Sequence, residues 1–389
     1  MLKRVVLLLF CTFLYVSVYT ESSNYVDYFK TVNQAELCIA KADYRSALAV
    51  YKDIFKQFPH SFEKEVYNAC LCAMKGNQWK DVLKLSKDLV LLGYESKDFE
   101  SPAFDEFRNN EKQWKKFLSE YPDLRAEYEK TIDKELRNKY LTLYKTDQQY
   151  AAGNIDIKTQ DSVFYELALS VSNLIKEYGF PHWMINKDTI NPHLQVMLRH
   201  YCGLENRIKA DEKMQKDSFY VQMKNNDIRL LVTQALNEGW LDPERYVPIV
   251  SYWDATNPYG DVAIGLDFES EKVSSFLRVP PEKRDELNKK RDSIGLPIFN
   301  ELTQDVINST WYREYPFKKI KEAWLACDTC SNIDYMRIAT ELSLDIENQY
   351  EDSNNYFHYY SKRLSNDIYF LNTKKYQKNF KRQHATDNQ

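Results

Sequence analysis

The sequence predicts an all-α fold, and three observations carry that prediction. Only nine glycines and twelve prolines occur in 389 residues, too few for the tight turns of an all-β chain, while Leu, Lys, Glu and Ala fill long periodic segments. Apolar residues recur at helical spacing in one segment after another. Between those segments, glycine, asparagine and proline stand where helices should stop. The exception is Val262 to Phe268, where weak alternation predicts at most a short β element.

The clearest unit runs from Ala35 to Pro59. One helix ends near Lys41, and Ala42, Asp43 and Tyr44 make a tight turn. Ala47, Leu48, Tyr51, Ile54, Phe55 and Phe58 then mark the apolar face of a second helix. Pro59 stops it, because proline removes a backbone donor and clashes with the preceding turn. A second unit follows, with Val66, Tyr67, Ala69, Cys70 and Ala73 on its first helix and a break at Gly76 and Asn77. Val82, Leu83, Leu85, Leu89 and Leu92 line its second helix, which Gly93 caps. Two units leave an apolar face uncovered. The expected cap is the next segment, with Ser101 as N-cap, Pro102 at the first helical position, and Phe104, Phe107, Trp114 and Phe117 behind them. Those aromatics have the spacing of a core-facing stripe, with a ligand groove as the competing reading.

The second half reads as further helices: Leu124 to Gln149, then an amphipathic helix with Val163, Phe164, Leu167, Ala168, Val171, Leu174 and Ile175 that ends at Gly179 and Pro181. Others are expected at Pro192 to Tyr201, at Phe219 to Leu236, from an Asp242 N-cap to Trp253, and from Pro281 to about Ile294. Beyond Pro297 the spacing predicts helices at Ile298 to Val306, Phe317 to Cys327 and Asp334 to Tyr350. A basic, aromatic end follows, in which Lys374, Lys375, Lys378, Lys381 and Arg382 interleave with Tyr376 and Phe380.

Two family resemblances rest on these residues. The Ala-Asp-Tyr turn, Ala47, Tyr51 and Pro59 make residues 28–97 resemble a degenerate pair of tetratricopeptide repeats, with Gln34 where a larger apolar residue is usual. Further on, Asp147 and Gln148 in TDQQY, Gly179, Phe180 and Pro181 in YGFP, and His200 in LRHYC are similar to a bacterial domain family of unknown function. Tyr259 and Gly260 in NPYGD, and Arg291, Gly295, Leu296 and Pro297 in KRDSIGLP, continue the match in the family's order. The chain departs from that pattern at Ala151, at Tyr201 and Cys202, and at Asp261 and Val262, which replace polar or small family residues. The resemblance implies helical repeats followed by a helical domain, and brings no activity with it. The expected organisation is a signal peptide at 1–22, repeats with a capping helix at 23–121, a helical domain at 122–297, and a helical extension with a basic tail at 298–389.

The polar members of those motifs are the candidate site. Asp147, His200 and Tyr259 could converge to give an acid, a base and a phenol that orient a substrate. The competing reading is structural, since a single histidine on an apolar helix is commonly hydrogen-bonded in a core and Asp-Gln near a helix end commonly ties helices together. The chain has no H-E-x-x-H, no G-x-S-x-G and no phosphate-cradling glycine loop. No metal or other cofactor is expected.

Compartment is read from the first residues. Lys3 and Arg4 precede an apolar run from Val5 to Val18 and polar residues from Thr20 to Ser23, which predicts an export signal cleaved between Thr20 and Ser23. Leu9 and Phe10 put bulky groups where lipidation at Cys11 would need small ones. The run is shorter than the roughly 20 apolar residues of a membrane helix, so an exported protein of the periplasm, envelope or exterior is expected, with no membrane span after cleavage. Cys38, Cys70 and Cys72 fall at close-packed helix positions and read as packing rather than bridges. Cys327 and Cys330 form a C-x-x-C that reads as a local disulfide or two thiols, lacking the second ligand pair of a zinc site. The formal net charge of −4 argues against general nucleic-acid or anionic-membrane binding, and the basic end reads as a solvated tail. The leading expectation is therefore a non-enzymatic scaffold that binds a peptide or protein. A hydrolase-like enzyme using Asp147, His200 and Tyr259 is the alternative, and a purely structural envelope component is the third class.

Overall fold

The computed structural model describes residues 24–153, 155–187, 191–224, 227–251, 259, 262–267, 272–277, 281–298 and 367–371. The expected signal peptide, Cys11, Cys327, Cys330, the helices expected beyond Ile298 and the basic tail lie outside these described residues.

Four helices form the first layer: α1 (Tyr25–Ala40), α2 (Tyr44–Gln57), α3 (Glu63–Lys75) and α4 (Trp79–Leu91). Each packs on the next in sequence, giving two helical hairpins. Asn24 caps α1 by accepting from the Val26 amide, and Asp43 caps α2 by accepting from Ser46. The two hairpin turns place non-glycine residues at positive φ, Ala42 at 57° and Asn77 at 54°, and these equivalent points lie 35 positions apart. Lys41 and Asp43 flank the first and Gly76 and Gln78 the second, and neither turn has a glycine at the left-handed position.

The expected cap is present. Ser101 accepts from the Ala103 amide at the start of a short 3-10 turn with Pro102 in its first position, and α5 (Asp105–Asn109) and α6 (Glu111–Thr131) follow. Helix α6 covers α4. Phe104, Phe107 and Phe117 are buried and join Phe99, with ring centroids 4.9 Å (Phe99–Phe104) and 4.8 Å (Phe99–Phe117) apart. The aromatic stripe is core rather than groove. Burial of each such ring stabilises the fold by about 2 kcal/mol.

The remaining helices are α7 (Lys134–Ala152), α8 (Ile157–Tyr178), α9 (Asn191–Ala210), α10 (Glu212–Lys216), α11 (Ser218–Val221), α12 (Ile228–Asn237), α13 (Pro243–Val250) and α14 (Arg284–Asp292). A small sheet accompanies them. β1 (Val262–Asp267) pairs antiparallel with β2 (Lys272–Leu277), Val262 opposite Leu277, and parallel with β3 (Asp367–Leu371), Ala263 opposite Asp367. Among the described residues the protein is all-α apart from this β element.

Three expectations need correction. Residues 124–149 are not one helix, because Asp133 accepts from the Leu136 amide and starts α7 afresh after α6 ends. Residues 219–236 divide likewise, with α11 stopping before Asp227 precedes α12. The boundary expected between 121 and 122 falls inside α6, where Pro122 sits in mid-helix. The carbonyl it deprives of a donor belongs to Leu118, a 45 % exposed residue, so water can replace the lost bond. Of the extension beyond 298, only residues 367–371 are described, as strand β3.

One buried apolar cluster runs from Tyr25 to Leu296, across that expected boundary. Its closest join is around α1. The turn at Gly239 (φ 77°) leaves only 2.3 Å between a would-be Cβ and the Tyr25 ring, and the turn at Gly295 (φ 78°) leaves 2.6 Å to the Phe29 Cβ. Asn33 donates to the Gly295 carbonyl at 2.9 Å, and Lys30 pairs with Asp292 at 2.7 Å. His60 lies stacked between Tyr25 (4.6 Å) and Trp240 (4.5 Å), its Nε2 2.7 Å from the Gly239 carbonyl. A carbonyl only accepts, so Nε2 carries the proton. Burial lowers the His60 pKa, and the Gly239 bond opposes that shift.

Gly239→Ala and Gly295→Ala should therefore each cost about 2–4 kcal/mol, from overpacking plus left-handed strain. Gly179 shares the positive φ (81°) but has nothing within 4 Å of its would-be Cβ, so Gly179→Ala should cost only about 1 kcal/mol. Urea melts of the three variants check this; equal losses would mean that α1 is not pressed against the two turns.

Candidate functional site

Asp147 and His200 meet. Asp147 lies in the last turns of α7 and is 1 % exposed, while His200 lies midway along α9 with its side chain 32 % exposed. His200 Nδ1 stands 2.9 Å from both Asp147 oxygens, Gln148 donates to Asp147 Oδ2 at 2.7 Å, and Phe164 of α8 stacks on the imidazole at 4.9 Å. A buried carboxylate thus holds one nitrogen of a part-exposed imidazole and leaves Nε2 for other work. That geometry suits proton transfer.

It also suits a helix tie, and the same helices hold a second one. Seven residues along α9, Arg207 pairs with buried Asp161 of α8, whose other oxygen accepts from Tyr220 at 3.1 Å. Both arrangements are a buried acid from α7 or α8 met by a base from one face of α9.

Tyr259 is placed differently. Its ring packs edge-on against Tyr246 of α13 at 6.3 Å, and burial, then Tyr246, pushes its pKa well up. Its carbonyl accepts from Arg291 Nη1 at 2.9 Å, while Arg291 Nε donates to the Pro297 carbonyl at 2.7 Å. Burial lowers the Arg291 pKa to about 9, still above neutrality, so the guanidinium is charged as it ties 259 to 297. The motif residues therefore gather as two separate ties, Asp147 with His200 and Tyr259 with Arg291 and Pro297.

The cysteines fit packing. Cys70, Cys72 and Cys202 are buried and free, and Cys38 is half-buried and free. Burial pushes the Cys70 thiol up to about 12, which leaves it protonated and unreactive.

A charged cavity lies where α3 meets α13. It measures about 50 Å³ and is lined by Phe62, Glu63, Lys64, Glu65, Ile185, Asp242, Glu244 and Arg245. Both helices begin here: Glu63 and Glu65 occupy the first turn of α3, and Asp242 caps α13 with Glu244 in its first turn. Helix N-termini favour such carboxylates. Lys64 Nζ stands 3.3 Å from Glu244, 3.9 Å from Glu36 of α1 and 4.0 Å from Glu65. Burial works against the Lys64 charge, but Glu244, Glu36, Glu65 and Asp242 outweigh it and its pKa is raised. Arg245 pairs with Asp242 at 3.2 Å, and Glu63 accepts from the Tyr94 hydroxyl. Glu65 is fully buried, and neither oxygen has a well-formed hydrogen bond. Burial raises its pKa to about 7, with Lys64 opposing the shift.

Sequence reasoning passed over this cavity. The available signal was Glu63-Lys64-Glu65 at the head of the otherwise apolar YNACLCAM helix, together with Asp242 and Glu244. Each pair reads locally as ordinary helix-start chemistry.

Among the described residues no group of three or more His, Cys, Asp or Glu is arranged to hold a metal ion, and no helix is long and apolar enough to cross a membrane. No family model matches the chain, and neither a curated protein nor a solved structure matches it.

Glu65 makes stability depend on pH. Its folded pKa of about 7 exceeds the ordinary 4.5, so the folded state holds a proton that the unfolded state releases between those values. The stability this contributes is complete below about 4.5 and is lost as pH rises through about 7, by up to about 3 kcal/mol. Glu65→Gln should flatten that decline in denaturant melts at pH 5, 6, 7 and 8. A variant that still declines as the parent does would place the titration elsewhere.

Proposed function

We propose that this protein is an exported helical scaffold that binds a peptide or protein segment and performs no hydrolysis. The observation that carries this reading is the paired design of the polar layer. The Asp147–His200 contact has a counterpart in Asp161–Arg207–Tyr220 on the same helices, and a tie that occurs twice needs no substrate to explain it. The two hairpins, with their turns 35 positions apart at Ala42 and Asn77, support the tetratricopeptide likeness, and helical repeats of that type present extended faces to partners. Tyr259 engages Tyr246 and Arg291 instead of the acid–base pair, which leaves the hydrolase alternative without its third group.

The alternative keeps one favourable observation, the part-exposed imidazole held by a buried carboxylate. His200→Ala separates the two readings. On the scaffold reading it costs about 1–3 kcal/mol, because Asp147 stays buried without its imidazole partner, and peptides selected from a display library against the parent protein bind the folded variant equally well. On the hydrolase reading, parent protein turns over a panel of ester, peptide and glycoside substrates and His200→Ala abolishes that turnover. Turnover lost in His200→Ala would overturn the proposal.

A further inference from the structure

We propose that residues 211–223 form a strap that lifts off α8 and α9 as a unit while those helices stay folded, and that its lifting uncovers the Phe164 ring on which His200 stacks. Such a strap gates one wall of the candidate site whether that site binds or reacts.

The strap has little helix of its own. It runs from the end of α9 through α10 and α11, which have five and four residues, far below the roughly 12–15 at which an isolated helix is even marginally stable in water. Local capping shapes it instead. Asp211 accepts from the Lys213 amide at 2.7 Å, and Asp217 accepts from the Phe219 amide at 2.9 Å. The amides of Gln215, Asp217, Tyr220 and Val221 donate to carbonyls of residues 211, 213, 214 and 217, so these backbone bonds close within the strap.

Side chains bind it to α8, and one stripe of that helix supplies them. Lys158, Asp161 and Tyr165 recur at three- and four-residue spacing, which places them one above another. Lys158 pairs with Asp217 at 3.0 Å, Asp161 accepts from the Tyr220 hydroxyl at 3.1 Å, and the Tyr165 hydroxyl donates to the Gln222 carbonyl at 3.0 Å. The Lys158 and Asp217 side chains are 57 % and 33 % exposed, and so wet an ion pair contributes little. The Tyr165 bond also lies at the surface, where water replaces the hydroxyl when it leaves.

Tyr220 and Met223 are the strap's two buried side chains. They join Phe164, Leu167, Leu204 and Ile208 in a small cluster separate from the main core. Elements that share one core open together, whereas an element docked on a satellite cluster opens at a fraction of the global cost. Helices α8 and α9 are anchored elsewhere, since Val171 and Ile175 of α8 and Leu194 and Leu198 of α9 belong to the main core. They therefore stay in place when the strap leaves.

Lifting changes the candidate site. Phe164 is 7 % exposed and stacks on His200 at 4.9 Å, and its cluster partners Tyr220 and Met223 depart with the strap. Asp161 loses the Tyr220 hydroxyl but keeps Arg207. The buried carboxylate is not stranded, so the open state escapes the large cost of an unpaired buried charge. The closed strap hides this apolar wall; the open strap presents it to solvent beside the imidazole.

Methionine oxidation of the full chain by hydrogen peroxide reads the opening. The peroxide transfers one oxygen to the thioether, giving the sulfoxide and water, and it must reach the sulfur to do so. Met223 is 2 % exposed, while Met184 and Met197 in the main core are 1 % and 4 % exposed, so static exposure alone gives all three the same rate. Peptide mass spectrometry after brief treatment should find Met223 oxidised at least about tenfold faster than either. Hydrogen exchange is the second readout. The amides of Gln215, Asp217, Tyr220 and Val221 should exchange faster than those of α8 between 164 and 175, at a rate that about 1 M urea leaves unchanged, because a small opening exposes little surface. Tyr165→Phe should speed Met223 oxidation about threefold, and Tyr220→Phe more, with Met184 and Met197 unaffected. The measurements on unaltered protein stand even where a variant fails to fold. Equal oxidation of the three methionines, or strap exchange that urea accelerates in parallel with α8, overturns the proposal. Strap amides without any protection overturn it as well, since they would leave no closed state, and so does an unchanged Met223 rate in both variants.

Discussion

Helix α1 has to lie directly against two backbone turns, because the rings of Tyr25 and Phe29 fill the space that a Cβ at 239 or 295 would need. Two helical hairpins alone cannot cover both ends of their stack. Helix α6 covers the α4 end, and the turns at Gly239 and Gly295 cover the α1 end. The first four helices are thus a middle layer, held from one side by the aromatic cluster of Phe99, Phe104, Phe107 and Phe117 and from the other by the second half of the chain. The contact fixes more than packing. Once Tyr25 sits on Gly239, His60 is trapped between Tyr25 and Trp240, and the start of α3 is carried to the start of α13. The cavity at Glu65 is a consequence of that seating.

Local chemistry was legible wherever one residue decides the outcome. Ser101 and Asp242 cap the elements expected of them, and Gly179 ends α8 at a positive φ. Proline was the less reliable guide. Pro122 stays inside α6 because the carbonyl it strands lies by exposed Leu118, whereas Asp133, an ordinary residue in a charged run, breaks the helix by taking the Leu136 amide. The turn at Ala42 was visible as a turn, but its left-handed conformation was not, since alanine gives no sign of it.

The candidate site was half legible. Asp147 and His200 were expected together and are together, because both sit on helix faces whose apolar neighbours fix them. Tyr259 was grouped with them on sequence likeness alone, and its neighbours turned out to be Tyr246 and Arg291. The Glu65 cluster was illegible for a different reason. Its members lie on α1, α3 and α13, separated by up to about 200 positions, and each looks like a surface or helix-start residue. Their burial comes from the docking of distant elements, and no local pattern carries that.

Buried polar groups in this protein fall into two kinds. Asp147 and Asp161 meet hydrogen-bonding partners on both oxygens, and such groups can be read as framework. Glu65 is not matched, and its neighbours make matters worse: Glu63, Asp242 and the carboxylates around Lys64 all press its pKa upward or compete for the same ammonium. An apolar residue of similar volume would avoid that cost, as replacement of buried charges commonly does. Framework needs explain the ties on α7 to α9 fully, and they do not explain Glu65. Helix N-termini offset part of the burden, and the proton that Glu65 holds below its folded pKa of about 7 relieves the rest, which is why the cost of this residue appears only as pH rises.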